Sequence, residues 1–125
     1  MSDSLKNQNA LQSIAKIREF CEARDWDQFH SPKELAIGLV TEASELLEIF
    51  RFQSEAQISE LLEDADSRES IADELADVYF FLLRFADRNG FDLESALARK
   101  MAKNNEKYPV EKSRGRNQKY TEYCD

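Results

Sequence analysis

Two segments of this chain are apolar enough to require burial, yet both carry acids at the edge of the face that would be buried. They are GLVTEASELLEIF at residues 38–50 and DELADVYFFL at residues 73–82. On a helical wheel of about 100° per residue, Leu35, Leu39, Val40, Ala43, Leu46, Leu47 and Phe50 fill one broad arc of the first helix. Glu42 falls between Ile49 and Leu35 at the margin of that arc, and Glu45 lies beside Gly38 one step further out. Glu48 lands on the far side with Thr41 and Ser44. In the second segment Glu74 falls between Phe81 and Phe85, Asp77 lies beside Arg84 and Arg88, and Asp73 sits further round. Each helix therefore offers one acid in an apolar setting and another one turn later, where side chains are neighbours. An unpaired buried carboxylate costs on the order of a few kcal/mol, and two close together repel. Helices of this kind pack face to face only if a cation sits among the acids; otherwise the acids form a solvated stripe.

The ends of four helices are marked along the chain. The first is expected over Leu5 to Ala23, with Leu11, Ile14, Ala15, Ile17 and Cys21 at helical spacing. ARDWDQFH breaks that pattern and reads as a loop. Ser31-Pro32-Lys33-Glu34 is a start signal, with Ser as N-cap, Pro at the first helical position and Glu three residues after the cap. This second helix should run to about Arg51, followed by an acidic linker with a short helix around Ile58 to Leu62. Asp66 or Ser67 can cap the third helix, which ends at Asn89 before Gly90. Asp92 caps the fourth, and Pro109 bounds it after Tyr108. The rest, VEKSRGRNQKYTEYCD, is polar and reads as an extended tail from about residue 110. With three glycines, two prolines and few β-branched residues, the chain reads as all-α, a single domain over residues 1–125.

Charge and cysteine content narrow the function. From Arg99 to Lys119 eight basic residues face two acidic ones, so this segment offsets a charge of roughly −14 on the rest of the chain to give the formal net charge of −8. An acidic body argues against binding a nucleic acid polymer, whose affinity rests on many phosphate contacts by Lys and Arg. It suits a protein that gathers cations, with a basic segment left for a smaller anion. No apolar run approaches the roughly 20 residues of a membrane span, and MSDSLKNQNA lacks the apolar stretch of a signal peptide. Cys21 and Cys124 show no metal-ligand or redox spacing, so a reduced, cytoplasmic protein is expected. Oxygen ligands from two helices suit magnesium, with manganese as a substitute, since this ion keeps waters and substrate phosphates in its shell. Arg84 and Arg88 could instead neutralise Asp77 and make it structural.

The pairs Glu42-Ala43-Ser44-Glu45 and Glu74-Leu75-Ala76-Asp77 resemble the signature of the MazG-like all-α nucleoside triphosphate pyrophosphohydrolases. RDWDQFHSP, GLVTEASELLEIF, DELADVYFFL, KMAKNNEKYP and KYTEY, in that order, resemble the dCTP pyrophosphatase-like branch of that superfamily. The resemblance spans nearly all of the chain from Ile14 onward. It implies a four-helix bundle assembled as a homodimer or a dimer of dimers, whose sites pack helices from two copies. It implies cleavage of a nucleoside triphosphate, dCTP or a related or modified pyrimidine, to the monophosphate and pyrophosphate. Glu42, Glu45, Glu74 and Asp77 would hold magnesium and act catalytically, with Glu45 also orienting the water. Phosphoryl transfer needs positioning and charge neutralisation more than covalent help.

The resemblance further assigns substrate contacts to Trp26, Gln28, His30, Phe52, Phe81, Lys100 and Asn104. An indole can stack on a base, and a histidine or amide can read its edge or bind phosphate. Read alone, Trp26 reads as a core anchor and His30 as a structural histidine, while Lys100 with Asn104 is equally a solvated pair one turn apart. Two positions depart from the branch: Phe52 stands where it has tryptophan and Phe81 where it has tyrosine. Phe81 lacks a hydroxyl, so a hydrogen bond is lost or supplied by another group such as Tyr79. Ile17 stands where the branch has an upstream histidine. These changes put strict dCTP preference in doubt. Two other readings stand beside the leading one: a non-catalytic, cation-binding helical assembly module, and a hydrolase acting on dUTP or a damaged nucleotide.

Overall fold

The computed structural model describes residues 3–123, with side chains from residue 9 onward. Among the described residues every regular element is helical: α1 (Asp3–Ala23), α2 (Pro32–Phe50), α3 (Glu55–Glu63), α4 (Ala65–Asn89), α5 (Leu93–Lys107) and α6 (Val110–Ser113). Single 3-10 turns occupy Asp27–Phe29 and Tyr120–Glu122. By their contacts the residues form two compact units, one ending at Gly90 and one beginning at Phe91. Cys124 lies outside the described residues.

In the first unit α2 and α4 form the main packed pair, with α1 and α3 also resting on α4. Helices α2 and α4 run antiparallel: Gly38 meets Phe81, and one turn further along α2 the acids Glu42 and Glu45 meet Glu74. Leu35 from α2, Ile71, Leu83 and Ala86 from α4, and Cys21 from α1 are buried. Gly38 is required at this crossing. A Cβ there would come within 2.3 Å of the Phe81 ring, so the aromatic side chain lies directly on the α2 backbone.

Local signals set the ends. Ser31 accepts from the Glu34 amide and Pro32 occupies the first turn of α2. Gly90 closes α4 in the left-handed conformation, φ 73°. Two expectations shift. The linker after α2 holds a longer helix than Ile58 to Leu62: Ser54 and Gln57 form a capping box that starts α3 at Glu55. Its last residues run directly into α4, whose N-cap is Asp64, accepting from the Ser67 amide at 2.9 Å, rather than Asp66 or Ser67. Asp64 closes α3 and opens α4 at once, a double role that a search for one start signal misses.

In the second unit Asp92 caps α5 through the Ser95 amide. The segment after Pro109 is not simply extended. It forms α6 and folds Tyr120 and Tyr123 edge-on against Tyr108, with centroids 5.8 Å and 5.9 Å apart, and Tyr123 donates to Ser113 Oγ at 2.9 Å. The tyrosines supply apolar surface that the polar composition of the tail conceals.

Candidate metal and nucleotide site

Glu42, Glu45 and Glu74 converge. Each offers a carboxylate oxygen, and the three oxygens lie within 4.8 Å of one another. Glu42 and Glu74 are half-buried, and Oε2 of each is enclosed without a hydrogen-bond partner. Glu45, further round α2, is exposed. Burial pushes the Glu42 and Glu74 carboxyls above the ordinary glutamate range, and the neighbouring acids push them further, Glu45 foremost. Asp77 adds to the repulsion felt by both, but does not join the converging three. Antiparallel packing across the gap left by Gly38 brings these acids face to face, and no salt bridge to them is found among the described residues. An all-oxygen donor set with orphaned buried oxygens fits a hard divalent cation. Glu48, as its wheel position indicates, is a surface residue and pairs with Arg51 at 3.1 Å.

The expected alternative partner for Asp77 is absent. Arg84 and Arg88 turn the other way, toward the loop after α1. Arg84 is 1% exposed; it bonds the Asp27 carboxylate, and its Nε donates to His30 Nδ1 at 3.0 Å. Arg88 donates to the Asp27 carbonyl at 3.0 Å. Successive residues of a helix fan out by about 100°, so Asp77 and Arg84 share a side of α4, yet two turns separate them and Arg84 meets the loop first. Beside this network lies a cleft of about 230 Å³ lined by Arg18, Glu22, Asp27, Arg84, Asp87 and Arg88. Its three arginines face three acids, so it carries no net charge to attract a phosphate.

The base-pocket candidates fall into three groups. Trp26 and His30 stand edge-on to each other with centroids 6.3 Å apart. Trp26 is placed by a Schellman turn at the end of α1: its amide donates to the Cys21 carbonyl at 3.0 Å and the Asp25 amide to the Glu22 carbonyl at 3.1 Å. Asp25 takes the left-handed position of that turn, φ 55°, which aspartate tolerates better than most residues. Trp26 packs on Phe20, Phe20 on Phe80, and Phe80 on Phe81, each edge-on. This aromatic row links the Trp26 loop to the α2–α4 crossing beside the acids. Trp26 is nonetheless 40% exposed, so it is not a buried core anchor.

Gln28 and Phe52 are held by local contacts of their own. The Gln28 amide nitrogen bonds back to the Asp25 carbonyl and carboxylate, which leaves its carbonyl oxygen as the group on offer. Phe52 is 86% exposed at φ 67°, with the Arg51 guanidinium 4.5 Å above its ring. In the second unit Lys100 is exposed and Asn104 half-buried, one turn apart on α5. Sequence reasoning missed Gly38 and the Arg84–His30 bond. An arginine one turn from Phe80 on the apolar face of α4 was the available signal that a partner had to exist.

The profile of the MazG-like family matches residues 37–123. The chain belongs to the MazG-like family. It is similar to dCTP pyrophosphatase 1 of Rattus norvegicus, 38% identical over 120 residues, covering 95% of this chain and 71% of that protein. The Homo sapiens protein of the same name is 34% identical with the same coverage. Among solved structures, a pyrophosphatase from Archaeoglobus fulgidus aligns with a TM-score of 0.73 and 34% identity, over 87% of this chain and 95% of that one.

Proposed function

We infer that this MazG-like chain is a nucleoside triphosphate pyrophosphohydrolase that converts dCTP or a related pyrimidine deoxynucleotide to the monophosphate and pyrophosphate. The single observation that carries the reading is the pair of orphaned carboxylate oxygens, Glu42 Oε2 and Glu74 Oε2, on two acids that converge with Glu45 between α2 and α4. A structural ion pair would have satisfied them. Glu42, Glu45 and Glu74 would hold Mg2+, with Mn2+ able to substitute, and Asp77 would extend the acidic rim. When bound, the ion offsets the charge of the phosphates and polarises the reacting phosphoryl group. Glu45, the most open of the three, would orient the attacking water and take a proton from it; the water's oxygen bonds the α-phosphorus as the bridging bond to the β-phosphate breaks and pyrophosphate leaves.

Trp26 and His30 would take the base, with Gln28, Phe52 and Phe81 as further substrate contacts in the first unit; Lys100 and Asn104, on α5 of the second unit, are phosphate-binding candidates on the resemblance alone. The site is completed in a homodimer or a dimer of dimers. Support comes from apolar side chains left on the outside of α2 and α4: Val40 is 66%, Leu47 59% and Leu75 52% exposed, beyond what a monomer's surface favours. Among the described residues no helix is long and apolar enough to cross a membrane. The proposed role is that of a cytoplasmic scavenger of unwanted nucleotides, in keeping with two cysteines that show no metal-ligand or redox spacing.

Incubation with dCTP and magnesium tests the proposal, with product analysis as the readout. The expected products are dCMP and pyrophosphate; dCDP with orthophosphate, or no turnover, would overturn it. Phe81, with no hydroxyl to donate, favours a panel that includes dUTP and modified or damaged pyrimidines, ranked by kcat/KM.

A further inference from the structure

His30 is the chain's single histidine, and its ring is held from behind. Arg84 Nε donates to His30 Nδ1 at 3.0 Å, and the same guanidinium bonds the Asp27 carboxylate. The His30 amide donates to the Asp27 carbonyl at 3.2 Å, and Arg88 donates to that carbonyl as well. A guanidinium has donors and no acceptor, so the nitrogen facing it must carry the lone pair. The ring proton therefore sits on Nε2, for which no hydrogen-bond partner is found among the described residues. The charged groups facing the imidazole are Arg84 and Arg88 from α4 and Asp27 from the turn. Burial foremost, then the two arginines, outweigh Asp27 and hold His30 below the ordinary histidine range.

We propose that Arg84 is a positioning residue: by donating to Nδ1 it holds His30 neutral with its one proton on Nε2, so that the ring beside Trp26 presents a single fixed donor and no positive charge. The proposal rests on the reading above that Trp26 and His30 receive the base. It also assigns the histidine to one of its two possible tasks. An imidazolium would draw in a phosphate, whereas a neutral ring with one outward donor suits an uncharged heterocycle whose edge carries an acceptor, as the carbonyl and ring nitrogen of a pyrimidine do. Arg84 itself, 1% exposed, reaches no ligand and acts only through His30.

Having one histidine makes the test unambiguous. Long-range 1H–15N correlation spectra of uniformly labelled protein, recorded from about pH 5 to 8, read the protonation of each His30 nitrogen directly. The expected native spectrum shows Nε2 protonated and Nδ1 bare, with the titration midpoint below that of a free histidine. Arg84→Lys keeps the charge but not the fork; it should release the tautomer, raise the midpoint, and raise KM for the triphosphate about tenfold while kcat changes little. A native ring protonated on Nδ1, or charged at neutral pH, would overturn the proposal. So would an Arg84→Lys protein with an unchanged His30 spectrum, or one whose kcat falls at constant KM. If far-ultraviolet circular dichroism shows that the variant does not fold, the native spectrum decides alone. Addition of dCMP separates the two readings. A His30 resonance of the expected tautomer that no nucleotide perturbs removes the base pocket, whereas the wrong tautomer removes the role of Arg84 even if hydrolysis proceeds.

Discussion

Helix α4 carries two clusters of charge two to three turns apart, and the fold treats them in opposite ways. Toward its N-terminal half, Glu74 meets Glu42 and Glu45, and two of the enclosed oxygens have no partner. Toward its C-terminal half, Arg84 and Arg88 meet Asp27 and His30, and the buried guanidinium finds both a carboxylate and a ring nitrogen. Desolvation is costly at both places, so the difference lies in what offsets it. The arginine cluster is closed: the buried Arg84 is answered by the Asp27 carboxylate and His30 Nδ1, and Arg88 by the Asp27 carbonyl. The acid cluster is open: like charges are held together by apolar packing, and the compensation must come from outside. Among the described residues no other buried side-chain oxygen or nitrogen lacks a partner, and a cluster left open in this way is where a ligand is to be sought.

Substitutions at the two clusters should therefore differ in kind. The largest effect is expected at the open cluster and only on activity. Glu42→Gln or Glu74→Gln should lower kcat about a hundredfold to a thousandfold, while thermal melting shows stability unchanged or raised. A destabilised Gln variant would mean that the acids are structural, and the contrast would fail. At the closed cluster stability should suffer instead. Arg84→Met strands Asp27 and His30, and because the Asp27 side chain is 38% exposed the cost should be about 1–3 kcal/mol by urea denaturation.

Between the clusters, Gly38→Ala probes the crossing that brings the acids together. Its Cβ would displace the Phe81 ring at a cost of about 1–3 kcal/mol, with activity falling alongside stability. The smallest effect is that of pH on the metal-free protein. Glu42 and Glu74 have folded-state pKa values raised above the ordinary 4.5, so the folded form binds protons more readily than the unfolded chain. That contribution to stability is complete below 4.5 and is lost as pH rises through the raised values. With chelator present, the melting temperature should fall by a few degrees over that window. Magnesium, or Glu42→Gln, should flatten the slope, and a slope unaffected by either would place the missing compensation elsewhere.

The helix ends and the edgewise placement of the acids were legible in the linear chain. Ser31 with Pro32 and Glu34, Asp92, and Gly90 act within three or four residues of the backbone groups they satisfy, so their meaning does not depend on the fold. The wheel likewise set Glu42 and Glu74 at the apolar margin and Glu48 in solvent, because side-chain direction on a helix follows from spacing alone. Tertiary structure decided the rest. It brought three acids together and left Asp77 at the rim, and it turned Arg84 away from Asp77 to Asp27 and His30, residues more than 50 positions distant. It also gave the tail its tyrosine cluster. A charge can be answered by any opposite charge that packing brings within reach, and which one arrives is settled only when the helices cross.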